Sequence, residues 1–123
     1  NEARQAMLLQ RVMKTGDALT ARQSLAIATR GGAAVLGRDD IGQLAPGYAA
    51  DIAAFDCRGI DFAGAAWDLL AGLLFCGSTK TSYTIISGKI IVDQGYLVTM
   101  DMPKLLENHH AMTADLMRKA QWA

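Results

Sequence analysis

The sequence predicts an α/β chain in which helices come first, short strands follow and a long helix closes. Three observations carry that prediction. Apolar residues recur at helical spacing through residues 2–14. Residues 82–86 and 89–93 are β-rich runs joined by Ser87-Gly88, a two-residue hairpin connection. Asp101-Met102-Pro103 opens a final stretch with one apolar stripe, and proline sits in its tolerated first-turn position.

In the first helix, Ala6, Leu9 and Met13 fall at i, i+3 and i+7, and Leu8 and Val12 widen the stripe. Glu2 near its start and Arg11 and Lys14 near its end suit the helix dipole, and Gly16 ends it. Thr20-Ala21-Arg22-Gln23 is a capping box for a second helix reaching about Thr29. The pair Gly31-Gly32 is expected to break that helix, with a short helical piece from Ala33 to Leu36 ending at Gly37. Small residues dominate here, which permits close approach of another element. Ile41-Gly42-Gln43-Leu44 leads into the turn dipeptide Pro46-Gly47. Residues 51–56 read as a short strand, and residues 65–75 as a helix, with Ala66, Leu69, Leu70, Leu73 and Leu74 at helical spacing. Gln94-Gly95 turns into a last strand at 96–99. Leu105, His109, Met112 and Leu116 form the stripe of the closing helix. The order is unusual for one compact unit. Four short strands do not easily close a barrel or a sandwich alone, and the apolar front helices have no strands to cover. A small α+β domain is the simplest alternative.

Composition narrows the partners. Twelve basic residues balance twelve acidic ones, which argues against nucleic acid, since phosphate binding draws on a basic surplus. A hydrophobic content of 51% is ample for a core. No apolar run approaches the roughly 20 residues a bilayer span needs; residues 63–76 are interrupted by Asp68 and two glycines. Cys57 and Cys76 have no metal-type pairing and read as buried thiols of a reducing cytoplasm. The chain opens at Asn1 without an initiator methionine and runs straight into helical sequence, which predicts a truncated or processed product.

Two ordered blocks carry a family resemblance. Residues 28–38 (Ala-Thr-Arg-Gly-Gly-Ala-Ala-Val-Leu-Gly-Arg), followed by 41–52 (Ile-Gly-Gln-Leu-Ala-Pro-Gly-Tyr-Ala-Ala-Asp-Ile), resemble the C-terminal signature of the amidohydrolase superfamily. Residues 83–95 (Tyr-Thr-Ile-Ile-Ser-Gly-Lys-Ile-Ile-Val-Asp-Gln-Gly) resemble the final hairpin of the same enzymes. The opening Asn-Glu-Ala-Arg-Gln-Ala-Met-Leu-Leu-Gln and the Leu-Leu-Phe-Cys-Gly before the hairpin are most similar to the cytosine-, guanine- and triazine-type deaminases, 8-oxoguanine deaminases and hydroxyatrazine-type aminohydrolases above all.

The resemblance implies an α/β fragment of a larger enzyme. Residues 1–38 would be the last helices of a (β/α)₈ barrel. Residues 39–99 would be the C-terminal strands of a small composite β-sandwich, with a helix inserted at about 65–75. Residues 100–123 would be a closing helix packing on the barrel. A whole barrel takes about 250 residues, more than are present. The implied partners are the remainder of the parent enzyme and a small heterocyclic substrate, with neither nucleic acid nor membrane, and the family admits homo-oligomers.

The implied reaction uses a divalent metal, zinc or iron, that lowers the pKa of a bound water so that hydroxide attacks a ring carbon bearing an amino group. A carboxylate and a histidine then move protons to departing ammonia. The family's metal-binding aspartate would fall shortly before Asn1, and none of its metal ligands maps onto this sequence. Catalytic, cofactor-binding and metal residues are therefore all expected to be absent. His109 and His110 are adjacent in a helix, so their side chains diverge by about 100° and do not easily share an ion. His109, on the apolar stripe, reads as a core or interface histidine, and His110 as solvated. Asp39-Asp40 reads as a solvated loop pair, Asp51 as structural and Gly47 as meeting a backbone demand. Trp67 and Trp122 lack the neighbours for stacking on bases. Met7, Met13, Met100, Met102, Met112 and Met117 read as packing surface for the missing barrel, exposed and prone to association if this polypeptide stands alone. Two rival functions remain: a ring-opening amidohydrolase such as an imidazolonepropionase, and a stand-alone noncatalytic domain that binds a partner through its apolar helices.

Overall fold

The computed structural model describes residues 2–13, 19–76 and 80–120. The first helix, α1 (Glu2–Met13), has Glu2 in its first turn and Arg11 in its last, as the dipole favours. Its Met7 is completely buried. The predicted end at Lys14-Thr15-Gly16 lies outside the described residues.

The capping box forms as expected. The Gln23 N–H donates to Thr20 Oγ1 at 3.2 Å, and the Thr20 N–H donates back to Gln23 Oε1 at 2.9 Å. The helix it starts, α2 (Ala21–Ala26), does not break at the glycine pair. It runs through one π-helical turn (Ile27–Gly31) into α3 (Gly32–Val35). Gly31 and Gly32 keep helical dihedrals, at φ −62°, ψ −43° and φ −60°, ψ −43°. Two glycines cost only about 1 kcal/mol each relative to alanine, and packing outweighs that. Part of the packing is Gly42. It sits at φ +88°, and a Cβ there would lie 2.9 Å from the Thr29 carbonyl oxygen and 3.1 Å from Arg30 Cα. The loop backbone lies flush on the π turn, where only glycine fits. The helix ends as predicted at Gly37, whose N–H donates to the Ala34 carbonyl while the Arg38 N–H donates to that of Ala33.

The inserted helix is shorter than the sequence suggested. A 3₁₀ turn (Ile60–Phe62) comes first, and α4 spans Leu69–Phe75. Asp68 stands outside the helix at φ −148°, where its Oδ1 accepts from the Ala71 N–H at 2.9 Å. A carboxylate that can cap starts a helix better than it continues one, so the apolar periodicity overran the boundary. Gly72 is buried against this segment, with room for a Cβ only 2.8 Å from that of Ala65.

Four strands form one antiparallel sheet in sequence order: β1 (Ile52–Ala54), β2 (Tyr83–Ile86), β3 (Lys89–Asp93) and β4 (Tyr96–Leu97). β1 and β4 are shorter than the runs 51–56 and 96–99. The β2–β3 turn has φ +49° at Ser87 and +77° at Gly88, the type I′ geometry that matches strand twist. The closing helix, α5 (Met102–Lys119), is capped by Asp101, whose Oδ1 accepts from the Lys104 N–H.

Burial is unevenly shared. Met7, Ser24, Ala33, Phe62 and Leu74 are the buried side chains, and all belong to α1, α2, α3, the 3₁₀ turn and α4. Ser24 is satisfied by donating its hydroxyl to the Ala3 carbonyl. The Arg11 guanidinium lies over the Phe75 ring at 5.4 Å. No described residue of the sheet or of α5 is buried. The chain exposes 9662 Å². A compact monomer of this mass would expose about 6,400 Å², so roughly 3,300 Å² is surface that a compact fold would have covered.

Candidate functional site

The residues with chemistry are scattered and engaged in structure. Asp40 is held by Arg38 through two bonds, Nε to Oδ1 at 2.8 Å and Nη2 to Oδ2 at 2.6 Å. That pairing lowers the Asp40 carboxyl and raises the Arg38 guanidinium from their ordinary values. Asp56 and Arg58 repeat the arrangement. Arg58 donates from Nε at 2.9 Å, from Nη2 at 2.7 Å and from its backbone N–H at 3.0 Å. These bonds hold the Asp56 carboxyl well below the usual carboxylate range. Both pairs are exposed, so they fix local loop geometry and contribute little stability.

Asp51 has the structural use expected of it, by a route no short-range pattern reveals. Its Oδ1 accepts the Ser87 N–H at 2.7 Å across 36 residues, and the Gly88 N–H donates to the Ala50 carbonyl at 3.1 Å. The residue that opens β1 thereby anchors the β2–β3 turn. Gly47 takes φ +86°, meeting the expected backbone demand.

His109 is not a core histidine of this chain. It is exposed on α5, because none of the described residues packs over that stripe. The His109 and His110 rings stand 6.3 Å apart at a 48° tilt. The two cysteines are free and half-buried, less enclosed than expected, and the Cys57 thiol points at the Phe55 carbonyl at 3.8 Å. Trp67 is 97% exposed, and Trp122 lies outside the described residues. Of the methionines only Met7 is buried; Met13, Met100, Met112 and Met117 are exposed and Met102 is half-buried, so the others are not packed within this chain.

Among the described residues no group of three or more His, Cys, Asp or Glu side chains stands together to hold a metal ion. No helix is long and apolar enough to cross a membrane. Two of the open hollows lie beside the sheet. One, of about 690 Å³, is bounded by Phe55, Arg58, Lys80 and Tyr83 at the end of the sheet. The other, of about 550 Å³, is a mostly apolar cleft between α2–α3 and β1, reached by Leu25, Leu36, Leu44, Ile52 and Phe55.

The sequence model of the amidohydrolase family matches residues 1–91. The chain belongs to that family. It is 38% identical over 115 residues to an 8-oxoguanine deaminase of Pseudomonas aeruginosa, covering 94% of this chain and 25% of that one. A 5-methylthioadenosine/S-adenosylhomocysteine deaminase of Pelotomaculum thermopropionicum is 36% identical over 85% of the chain and 24% of its own length. A hydroxydechloroatrazine ethylaminohydrolase of a Pseudomonas species is 39% identical over 94 residues, 74% of the chain and 18% of its own length. Among solved structures, a zinc-complexed atrazine chlorohydrolase of Arthrobacter aurescens superposes with a TM-score of 0.80 at 34% identity, over 89% of this chain and 25% of that one. A zinc-bound adenosine deaminase of Xanthomonas campestris gives 0.84 at 30% identity, over 96% and 27%. The chain thus spans between 18% and 27% of the length of these relatives.

Proposed function

We propose that these residues are the C-terminal quarter of a metal-dependent amidohydrolase that hydrolytically deaminates a purine-like ring, 8-oxoguanine first among candidates. The observation that carries this reading is 38% identity to an 8-oxoguanine deaminase over 94% of the chain. In such a reaction water adds to the ring carbon bearing the amino group, the exocyclic C–N bond breaks, and ammonia leaves as a carbonyl forms.

Among the described residues no group of three or more His, Cys, Asp or Glu side chains stands together to hold a metal ion, and the family reading assigns metal binding and proton transfer to other parts of the parent enzyme. Zinc in two of the solved relatives supports zinc as the metal. The contribution of this chain is scaffold. Residues 1–38 would be barrel helices whose exposed apolar side chains, Leu9, Val12, Ile27 and Val35 among them, meet neighbouring barrel elements. Residues 39–99 would complete the small sandwich. The uncovered area and the apolar cleft beside β1 support a partner that buries both, and the rest of one polypeptide supplies it without the entropy cost of association.

The test is ammonia release by the gene-encoded protein that carries this sequence. Release from 8-oxoguanine in preference to 5-methylthioadenosine and hydroxytriazines supports the reading. A reversed preference transfers the assignment to another ring, and no release from any of them refutes deamination. The 123-residue polypeptide alone is expected to give no turnover.

A further inference from the structure

The helical cluster encloses a positive charge that it does not balance. Arg11 stands in the last turn of α1 with its guanidinium over the Phe75 ring, Cζ 5.4 Å from the centroid. Its Nε is buried, and among the described residues no hydrogen-bond acceptor meets it. A cation over a ring face gains from the ring's quadrupole, but that face gives the in-plane N–H groups of a guanidinium nothing to bond. A buried donor without an acceptor forfeits the bond it made to water, and native folds rarely leave one so. The charge is not met locally either. α1 packs on α2, the π turn and α4. These elements carry Arg4, Arg11, Arg22 and Arg30 against one acid, Glu2. Glu2 lies nine residues from Arg11, about 14 Å along the helix. α4 has no charged side chain, and Asp68 caps the end of it remote from Phe75.

We propose that Arg11 receives a carboxylate of the parent polypeptide, an aspartate or glutamate among the residues that precede Asn1, at the joint between α1 and α4. The proposal rests on the reading of this chain as the C-terminal quarter of an amidohydrolase, and it names the chemistry by which the rest of that enzyme grips the helical cluster. A backbone carbonyl would satisfy the Nε hydrogen and leave the charge, and its arginine-rich surroundings, unbalanced. A carboxylate answers both, because its two oxygens match the planar fork of donors on Nε and Nη. An acid of the same chain also avoids the entropy cost of association that a free anion would meet.

A crystal structure of the gene-encoded protein, followed by a double-mutant cycle, tests this. The expected structure has an Asp or Glu oxygen from upstream of Asn1 about 2.8 Å from Arg11 Nε. Arg11→Met keeps an apolar stem over Phe75 and loses every donor. It should lower Tm by about 5 °C, and so should the amide in place of the acid that the structure identifies. The double variant should fall little below the worse of the two, since each change removes the same pair. Losses that add would overturn the proposal. So would a backbone carbonyl, a bound ion or only water at Nε, or an acid such as Asp17 from within these residues. The crystal structure decides the case even where a variant does not fold. A gene product with no residues upstream of Asn1 defeats the amidohydrolase reading as well, whereas a full-length deaminase with another atom at Nε defeats this proposal alone.

Discussion

The helical cluster and the closing helix are built from similar residues and end in opposite states. α1 and α5 are both amphipathic: α1 has Glu2 in its first turn and Arg11 in its last, and α5 has Asp101 as its N-cap and Arg118 and Lys119 in its last turn. α1 buries Met7 completely because α2 and α4 close over it, whereas α5, half as long again, buries nothing. Amphipathicity therefore says that a face needs cover. It does not say whether the cover lies within these residues.

The largest way to break that contrast is to damage the cluster. Met7→Ala in the gene-encoded protein should cost about 2–5 kcal/mol, the range for large-to-small changes at fully buried sites, read by denaturant unfolding. A loss under 1 kcal/mol would mean that the cluster is not the core. Gly42→Ala comes next, at about 2–4 kcal/mol, combining a left-handed backbone penalty with a Cβ driven onto the π turn. Gly88→Ala is the control, because φ is equally positive there but the space is open, so only about 1 kcal/mol is expected. Equal losses at the two glycines would remove the close-contact argument.

Asp51→Ala should cost about 0.5–1.5 kcal/mol, since the exposed Ser87 N–H falls back on water, with hydrogen exchange accelerated at Ser87. Unchanged exchange there would show that the turn stands without its anchor. The smallest effect is electrostatic. The Asp56 carboxyl is depressed in the folded state, so its contribution is present above the unfolded value near 3.9 and is lost as pH falls below that. Carbon NMR should find Asp56 still ionised at pH 3 and, in Arg58→Ala, half-protonated near 4. A native midpoint already near 4 would remove the Arg58 bonds from the account.

Much of this fold is legible in the sequence, and the misses have causes. The capping box at Thr20, the hairpin at Ser87-Gly88 and the start at Asp101 are local chemistry, complete within a few residues. The continued helix through Gly31-Gly32 is not, since it depends on a loop ten residues away laying Gly42 on the π turn. The start of α4 is not either, because apolar spacing already begins before Asp68, the residue that caps it. The Asp51–Ser87 contact spans 36 residues and leaves no periodic trace. As for the site, the sequence shows two adjacent histidines and no ligand pattern, and among the described residues no group of three or more His, Cys, Asp or Glu side chains stands together.

The central claim is that the apolar faces left open here are covered by the rest of a longer amidohydrolase. The intact mass of the freshly expressed gene product tests it most directly. A value near 50 kDa is expected, about four times the 13.1 kDa of these residues, since relatives are about four times as long. A product of 13.1 kDa would contradict the claim and turn attention to a stand-alone partner-binding protein.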